Sequence, residues 1–185
     1  MLDNNLEATM IIYKHVEKQI LRPYTFIKGN VNLDSIYFIN EIEKGIKEKN
    51  NNNYKTNVVG RMTDWKYFVK DKLFIKLITE IFSKLEKETD FLNFAINEAW
   101  GLKQGYGEKT KKHNHLSSYI SGIIYLSKCD QPLVFDEINE KVEVEIGNFA
   151  IFDAWLQHGS SPNLENTSKY GISFNTTRNH GIFTN

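Results

Sequence analysis

Apolar positions recur at helical spacing through the first half of the chain and switch to a period of two after residue 91. Ile36, Ile39, Ile42 and Ile46 follow Asn32 and Asp34, two residues suited to capping. They predict a helix over 33–48, ended by Gly45 and the asparagine run at 50–53. Leu73, Phe74, Leu77, Ile78, Ile81, Phe82 and Leu85 form one broad apolar face and predict a second helix over 71–88. The stretch 6–21 carries a weaker helical pattern, and His15 within it reads as a surface or packing residue.

From Phe91 to Trp100 the chain alternates, with Asn93 and Asn97 on one face, as a half-buried strand does. Further strands are expected at 119–126, 132–136, 141–146, 149–153 and 170–176. They are separated by Asp130-Gln131, Asn139-Glu140, Gly147-Asn148 and a longer loop over 159–168. In the last strand Lys169, Gly171, Ser173 and Asn175 fall on one face, and Tyr170, Ile172 and Phe174 on the other. The apolar face suits packing on helices, and the polar face suits the lining of a cavity. Many short strands after two helices predict an α+β fold, a double-stranded β-helix (jelly roll) with N-terminal helices on the outer face of one sheet. The expected organisation is a single domain over 1–185, with 1–90 as mainly helical support and 91–178 as the jelly-roll core. No internal repeat is visible.

Composition narrows the partners. Twenty-three basic residues balance 23 acidic ones, so no bulk electrostatic attraction to nucleic acid or membrane is expected. A lone cysteine, Cys129, excludes an intramolecular disulfide and reads as a turn or strand-end residue. No window approaches a membrane span, and Met1-Leu2-Asp3-Asn4-Asn5 has no leader character, so a cytoplasmic location is expected.

The candidate chemistry lies in three of the five histidines. His113 and His115 stand two residues apart; on a strand they would share a face about 7 Å apart along the backbone. His158 follows His115 by 43 residues, beyond four further expected strands. Three imidazoles converging from such positions make a facial metal site with open positions, of the kind that suits non-haem iron.

The order of segments around these histidines resembles the 2-oxoglutarate- and Fe(II)-dependent oxygenases, in particular a group of small bacterial and phage oxygenases. The residues that carry the resemblance run over roughly 56–176. They are Met62-Thr63-Asp64-Trp65, Trp100, His113-Asn114-His115, the stretch 120–126, Val134-Phe135-Asp136, the stretch 147–152, Trp155-Leu156-Gln157-His158 and the stretch 169–175. The resemblance implies Fe(II) as cofactor, 2-oxoglutarate as co-substrate, and hydroxylation of a small-molecule or side-chain substrate with release of succinate and CO2. His113 then matches the first ligand and His158 the distal one. The second position departs from the common carboxylate: either His115 ligates, the favoured reading, or a carboxylate such as Asp136, Asp153 or Glu108 takes its place. Lys169 matches the basic residue that holds the far carboxylate of 2-oxoglutarate, with Arg178 as the alternative. A lysine there gives a point charge where arginine gives a fork. Tyr119, Ser121, Tyr125, Ser173 and Asn175 are candidates for hydrogen bonds to the same co-substrate, and Trp100 and Trp155 for the wall of the cleft.

Two other readings compete. Gly107, five further residues and then His113-x-His115 copy the opening of a cupin metal motif. The glutamate expected soon after is missing, as is the Pro-x-Gly expected before the distal histidine. A jelly roll that binds or builds without a working metal is the other, and only it is indifferent to loss of the histidines.

Overall fold

In a computed structural model, residues 9–15, 18–48, 56–85 and 94–178 are described, with side chains from residue 23 onward. The two helices are α1 (Ser35–Glu48) and α2 (Lys72–Leu85). Each begins where an aspartate accepts a backbone N–H: Asp34 Oδ1 from Tyr37 at 3.0 Å, and Asp71 Oδ1 from Phe74 at 2.8 Å. Such caps satisfy donors that the first helical turn leaves open. Gly45 does not end α1, as its sequence suggests. The helix runs through it, and glycine suits the position because the Tyr67 ring and the Thr63 methyl would lie 2.6 and 2.8 Å from a Cβ there. The expected end of α2 at 86–88 and the first residues of the strand at 91–93 lie outside the described residues.

The N-terminal segment differs from its helical expectation. Strands β1 (Thr9–His15) and β2 (Lys18–Tyr24) form an antiparallel hairpin, His15 opposite Lys18. Met10-Ile11-Ile12-Tyr13 is an apolar run without a 3.6-residue period, which suits strand at least as well as helix.

The main sheet is antiparallel and six-stranded, in the order β3 (Phe26–Asn30), β11 (Asn148–Asp153), β8 (Ile120–Tyr125), β12 (Lys169–Arg178), β6 (Phe94–Gln104), β5 (Arg61–Met62). Both outer strands, β3 and β5, thus come from the half of the chain expected to be helical support. Facing this sheet is a second layer of shorter pieces. β4 (Val58–Val59) pairs with β7 (Lys109–Thr110), and β9 (Cys129–Phe135) pairs with β10 (Glu140–Val144). Residues 158–160 join the two pairs: His158 bridges to His113, Gly159 bridges to Val134, and Ser160 N–H donates to Thr110 O at 3.0 Å. Two facing antiparallel layers with helices outside one of them make the α+β double-stranded β-helix.

Alternation along the strands divides the core in two. Ile120, Ile124, Phe149, Ile151, Ile172 and Phe174 face the helices and meet Phe38, Ile42, Phe74, Ile78 and Phe82. Burial of each such side chain contributes about 1.5–3 kcal/mol. Ile123, Tyr125, Ala150, Phe152 and Leu102 face the second layer and meet Leu133, Phe135, Val142 and Val144. Cys129, at the start of β9, is a free, buried thiol in this inner core. Among the described residues no helix is long and apolar enough to cross a membrane.

Candidate metal centre

The three histidines converge. Each of His113, His115 and His158 offers one ring nitrogen, and these atoms lie within 4.8 Å of one another. Ring centroids are 4.5 Å apart for His113 and His158, 4.8 Å for His113 and His115, and 5.2 Å for His115 and His158. They do not meet as neighbours on one pleated strand, as the His-x-His spacing suggests. His113 makes a single bridge beyond β7, and His115 lies in the loop that follows, its N–H donating to Ala154 O at 2.7 Å. The loop's backbone bonds, rather than pleat geometry, bring the pair together.

Hydrogen bonding prepares two of the rings. Nδ1 of His113 lies 2.7 Å from Lys111 O, and Nδ1 of His158 lies 3.0 Å from Leu156 O. A carbonyl can only accept, so each Nδ1 carries the proton and leaves Nε2 with its lone pair. Burial keeps all three rings neutral. It lowers His113, pushes His115 down to about 4 and pushes His158 to about 3, the latter two helped by unfavourable charge from neighbouring imidazoles. Phe135 and Phe152 press on His158 with centroids 5.4 and 4.8 Å away. Neutral nitrogen donors in a dry, aromatic-walled corner fit a first-row divalent metal.

Beside the imidazoles is a narrow cavity of about 40 Å³, lined among others by Trp100, Thr110, Tyr125, Leu133, Lys169 and Ser173. Lys169 is 2% exposed. Its Nζ donates to Gln131 O at 3.2 Å and lies 5.3 Å from the centre of the Tyr125 ring. Among the described residues no carboxylate pairs with it, and desolvation pushes it down to about 8. Burial pushes the Tyr125 hydroxyl up, so it stays protonated.

The other sequence candidates lie elsewhere. Asp136 pairs with Lys112 at 3.0 Å on the surface; Asp153 Oδ2 accepts from Thr25 N at 2.9 Å; Glu108 Oε2 accepts from Gly105 N at 2.6 Å. None of the three joins the histidine group. Arg178 is exposed at the end of β12, and Tyr119 is 49% exposed, its ring 6.1 Å from Phe94. Ser121 and Asn175 are buried, yet they serve each other. Ser121 Oγ donates to Asn175 Oδ1 at 2.7 Å, and Asn175 Nδ2 donates to Glu98 Oε2 at 2.8 Å.

Sequence reasoning missed Glu98, Thr110 and Gln131. Gln131 Nε2 donates to Glu108 O and Ser161 O at 2.8 and 2.6 Å, tying two loops to β9. The signal for Glu98 was present. Extending the alternation of β6 past residue 97 puts Glu98 on the same strand face as Trp100 and Leu102, the two that line the cavity.

No family model matches the chain, and no curated protein matches it. Solved structures do. A viral collagen prolyl hydroxylase from Paramecium bursaria Chlorella virus-1, solved as a 2-oxoglutarate complex, is 14% identical, with a TM-score of 0.61 over 82% of this chain and 94% of that one. HygX from Streptomyces hygroscopicus, solved with nickel and 2-oxoglutarate bound, is 13% identical, with a TM-score of 0.61 over 85% of this chain and 83% of that one. SnoN, a non-haem α-ketoglutarate-dependent epimerase from nogalamycin biosynthesis, is 10% identical, with a TM-score of 0.61 over 86% of this chain and 82% of that one. At such identities the likeness establishes the fold. That fold is the jelly roll of the 2-oxoglutarate-dependent non-haem enzymes, hydroxylases and an epimerase among them.

Proposed function

We propose that this protein is a non-haem Fe(II) oxygenase that uses 2-oxoglutarate and O2 to hydroxylate a C–H bond of a second molecule. The observation that carries the reading is one cavity with three neutral imidazoles and a buried lysine that has no counter-ion among the described residues. His113, His115 and His158 would hold the metal through nitrogen alone, and three protein ligands leave positions open for co-substrate and O2. Bound there, iron supplies the oxidative decarboxylation of 2-oxoglutarate to succinate and CO2, one oxygen atom of O2 entering succinate and the other the product.

The chain's own residues bind and orient. Lys111 O and Leu156 O fix the imidazole tautomers through Nδ1–H. Lys169 takes the distal carboxylate, since a buried ammonium held only by the Gln131 carbonyl gains most from an anion. The cavity is narrow, about 40 Å³, and its apolar walls, Tyr125, Leu133 and Phe152 among them, limit the access of water to the histidines and Lys169.

The test is an anaerobic titration of metal-stripped protein, first with Fe(II) and then with 2-oxoglutarate, watched for the weak visible charge-transfer band of a chelated keto acid. A saturable band that is absent in His113→Ala is the expected result. Tight metal binding without the band would favour the cupin-type reading, and no metal binding would favour a non-catalytic jelly roll.

A further inference from the structure

Trp100 on β6 and Ser173 on β12 are direct cross-strand partners, and both side chains line the cavity that holds the histidines. Trp100 is 3% exposed, and its ring centroid lies 6.2 Å from that of His115. Its Nε1–H is buried and finds no acceptor among the described residues. An indole N–H can only donate, and a buried donor left unpaired is costly enough that folded proteins rarely keep one. Trp65 holds the ring edge-on at 4.7 Å, which fixes the indole in place. Lys169 lies four residues before Ser173 on the same face of β12. Among the described residues no aspartate or glutamate lines the cavity. Donors therefore stand at both ends of a cavity without carboxylates: Lys169 at one, Trp100 and Ser173 at the imidazole end. Such a cavity selects a ligand with acceptor oxygens at both ends.

We infer that Trp100, seconded by Ser173, is a positioning residue for the keto-acid end of the co-substrate, its Nε1–H donating to the carboxylate oxygen beside the keto group. This rests on the oxygenase reading above and adds a residue to it. Lys169 reads the distal carboxylate, and Trp100 reads the part common to all 2-keto acids. The indole also sets how the keto acid lies relative to His115.

The two ends are separable by two probes. Full-length protein loaded with Fe(II) is titrated anaerobically with 2-oxoglutarate and with pyruvate, which has the same keto-acid end and no distal carboxylate. Trp100→Phe keeps the ring and removes the N–H; it is expected to weaken both ligands by a similar factor of about ten, the worth of one hydrogen bond to a charged group. Lys169→Met is expected to weaken 2-oxoglutarate alone. Titration with the metal by itself should give the same affinity in Trp100→Phe as in the parent. Unchanged binding of both keto acids in Trp100→Phe overturns the inference, as does loss of metal affinity, which would mean that the indole acts through His115. Should Trp100→Phe not fold, Ser173→Ala decides: weaker binding of both probes supports the pair, and unchanged binding removes it. Failure of the parent protein to bind either keto acid refutes the oxygenase reading itself and is thereby told apart.

Discussion

His113 and His158, 45 positions apart in sequence, exchange both backbone hydrogen bonds: His113 N–H donates to His158 O at 3.0 Å, and His158 N–H to His113 O at 2.9 Å. One antiparallel bridge thus fixes two candidate ligands, and their spacing is set by main chain before any side chain rotates. His158→Ala leaves this bridge intact because it uses no side-chain atom. The variant should keep the fold but bind Fe(II) more than about a hundredfold more weakly, beyond what loss of an outer partner causes. Isothermal titration with metal alone checks this, and retained affinity would remove the metal centre from the argument.

Lys169 gives a pH dependence of opposite sign for binding and for stability. An unfolded lysine holds its proton to about 10.4, whereas buried Lys169 releases it near 8. Between those values the unfolded chain binds more protons, so raising the pH from 8 to 10 should stabilise the unliganded protein relative to Lys169→Met. Attraction of 2-oxoglutarate needs the ammonium, so its Kd should climb above pH 8, by up to about tenfold per unit. Chemical denaturation and ligand titration across that range test the pair of trends. A parallel course in the Lys169→Met variant would assign them to another group.

Gly122 sits where β8 passes under the Phe174 ring, and a Cβ built there would lie 2.2 Å from the ring's Cζ. Gly122→Ala should destabilise by about 1–3 kcal/mol through overpacking. Adding Phe174→Leu should recover part of the loss, since the two sites share one clash. Urea unfolding of the single and double variants measures the coupling, and strict additivity would refute the contact.

Asn175 links buried Ser121 to half-buried Glu98, so Asn175→Ala should cost about 1–3 kcal/mol by leaving them without this partner. Binding of 2-oxoglutarate should stay within about twofold, because Asn175 does not line the cavity. A large loss of co-substrate affinity at unchanged stability would return Asn175 to the binding site.

Periodic elements were legible in the chain, and elements made by distant pairing were not. Phe38 and Ile42, or Leu77 and Ile81, announce helices because a helix writes its burial into local spacing. The two faces of 169–175 were readable for the same reason: Ile172 and Phe174 are buried toward the helices, and Lys169 and Ser173 meet the cavity. The two-residue strands at 58–59, 61–62 and 109–110 exist only through partners far along the chain and leave no period to detect. The paired strands at 9–15 and 18–24 are separated in sequence by Val16-Glu17, with no Gly, Asn or Pro, so the usual punctuation is missing. For the site, the histidines were legible by type and order. Their meeting through a loop and a bridge was not, nor were the bonds from Ser121 to Asn175 and from Asn175 to Glu98, because strand alternation gives a residue's face and not its partner.

The main sheet takes both of its flanking strands from the first 62 residues, β3 against β11 and β5 against β6. A fragment trimmed to the histidine-bearing part, from about residue 94 onward, would carry two long bare backbone rims. Such rims invite strands from other molecules, and the oily outer surface left by α1 and α2 would add to the hazard. Folding of this protein therefore needs the N-terminal strands and helices as well as the histidine-bearing part, and attempts to shorten it should end in aggregate before they yield a smaller folded protein.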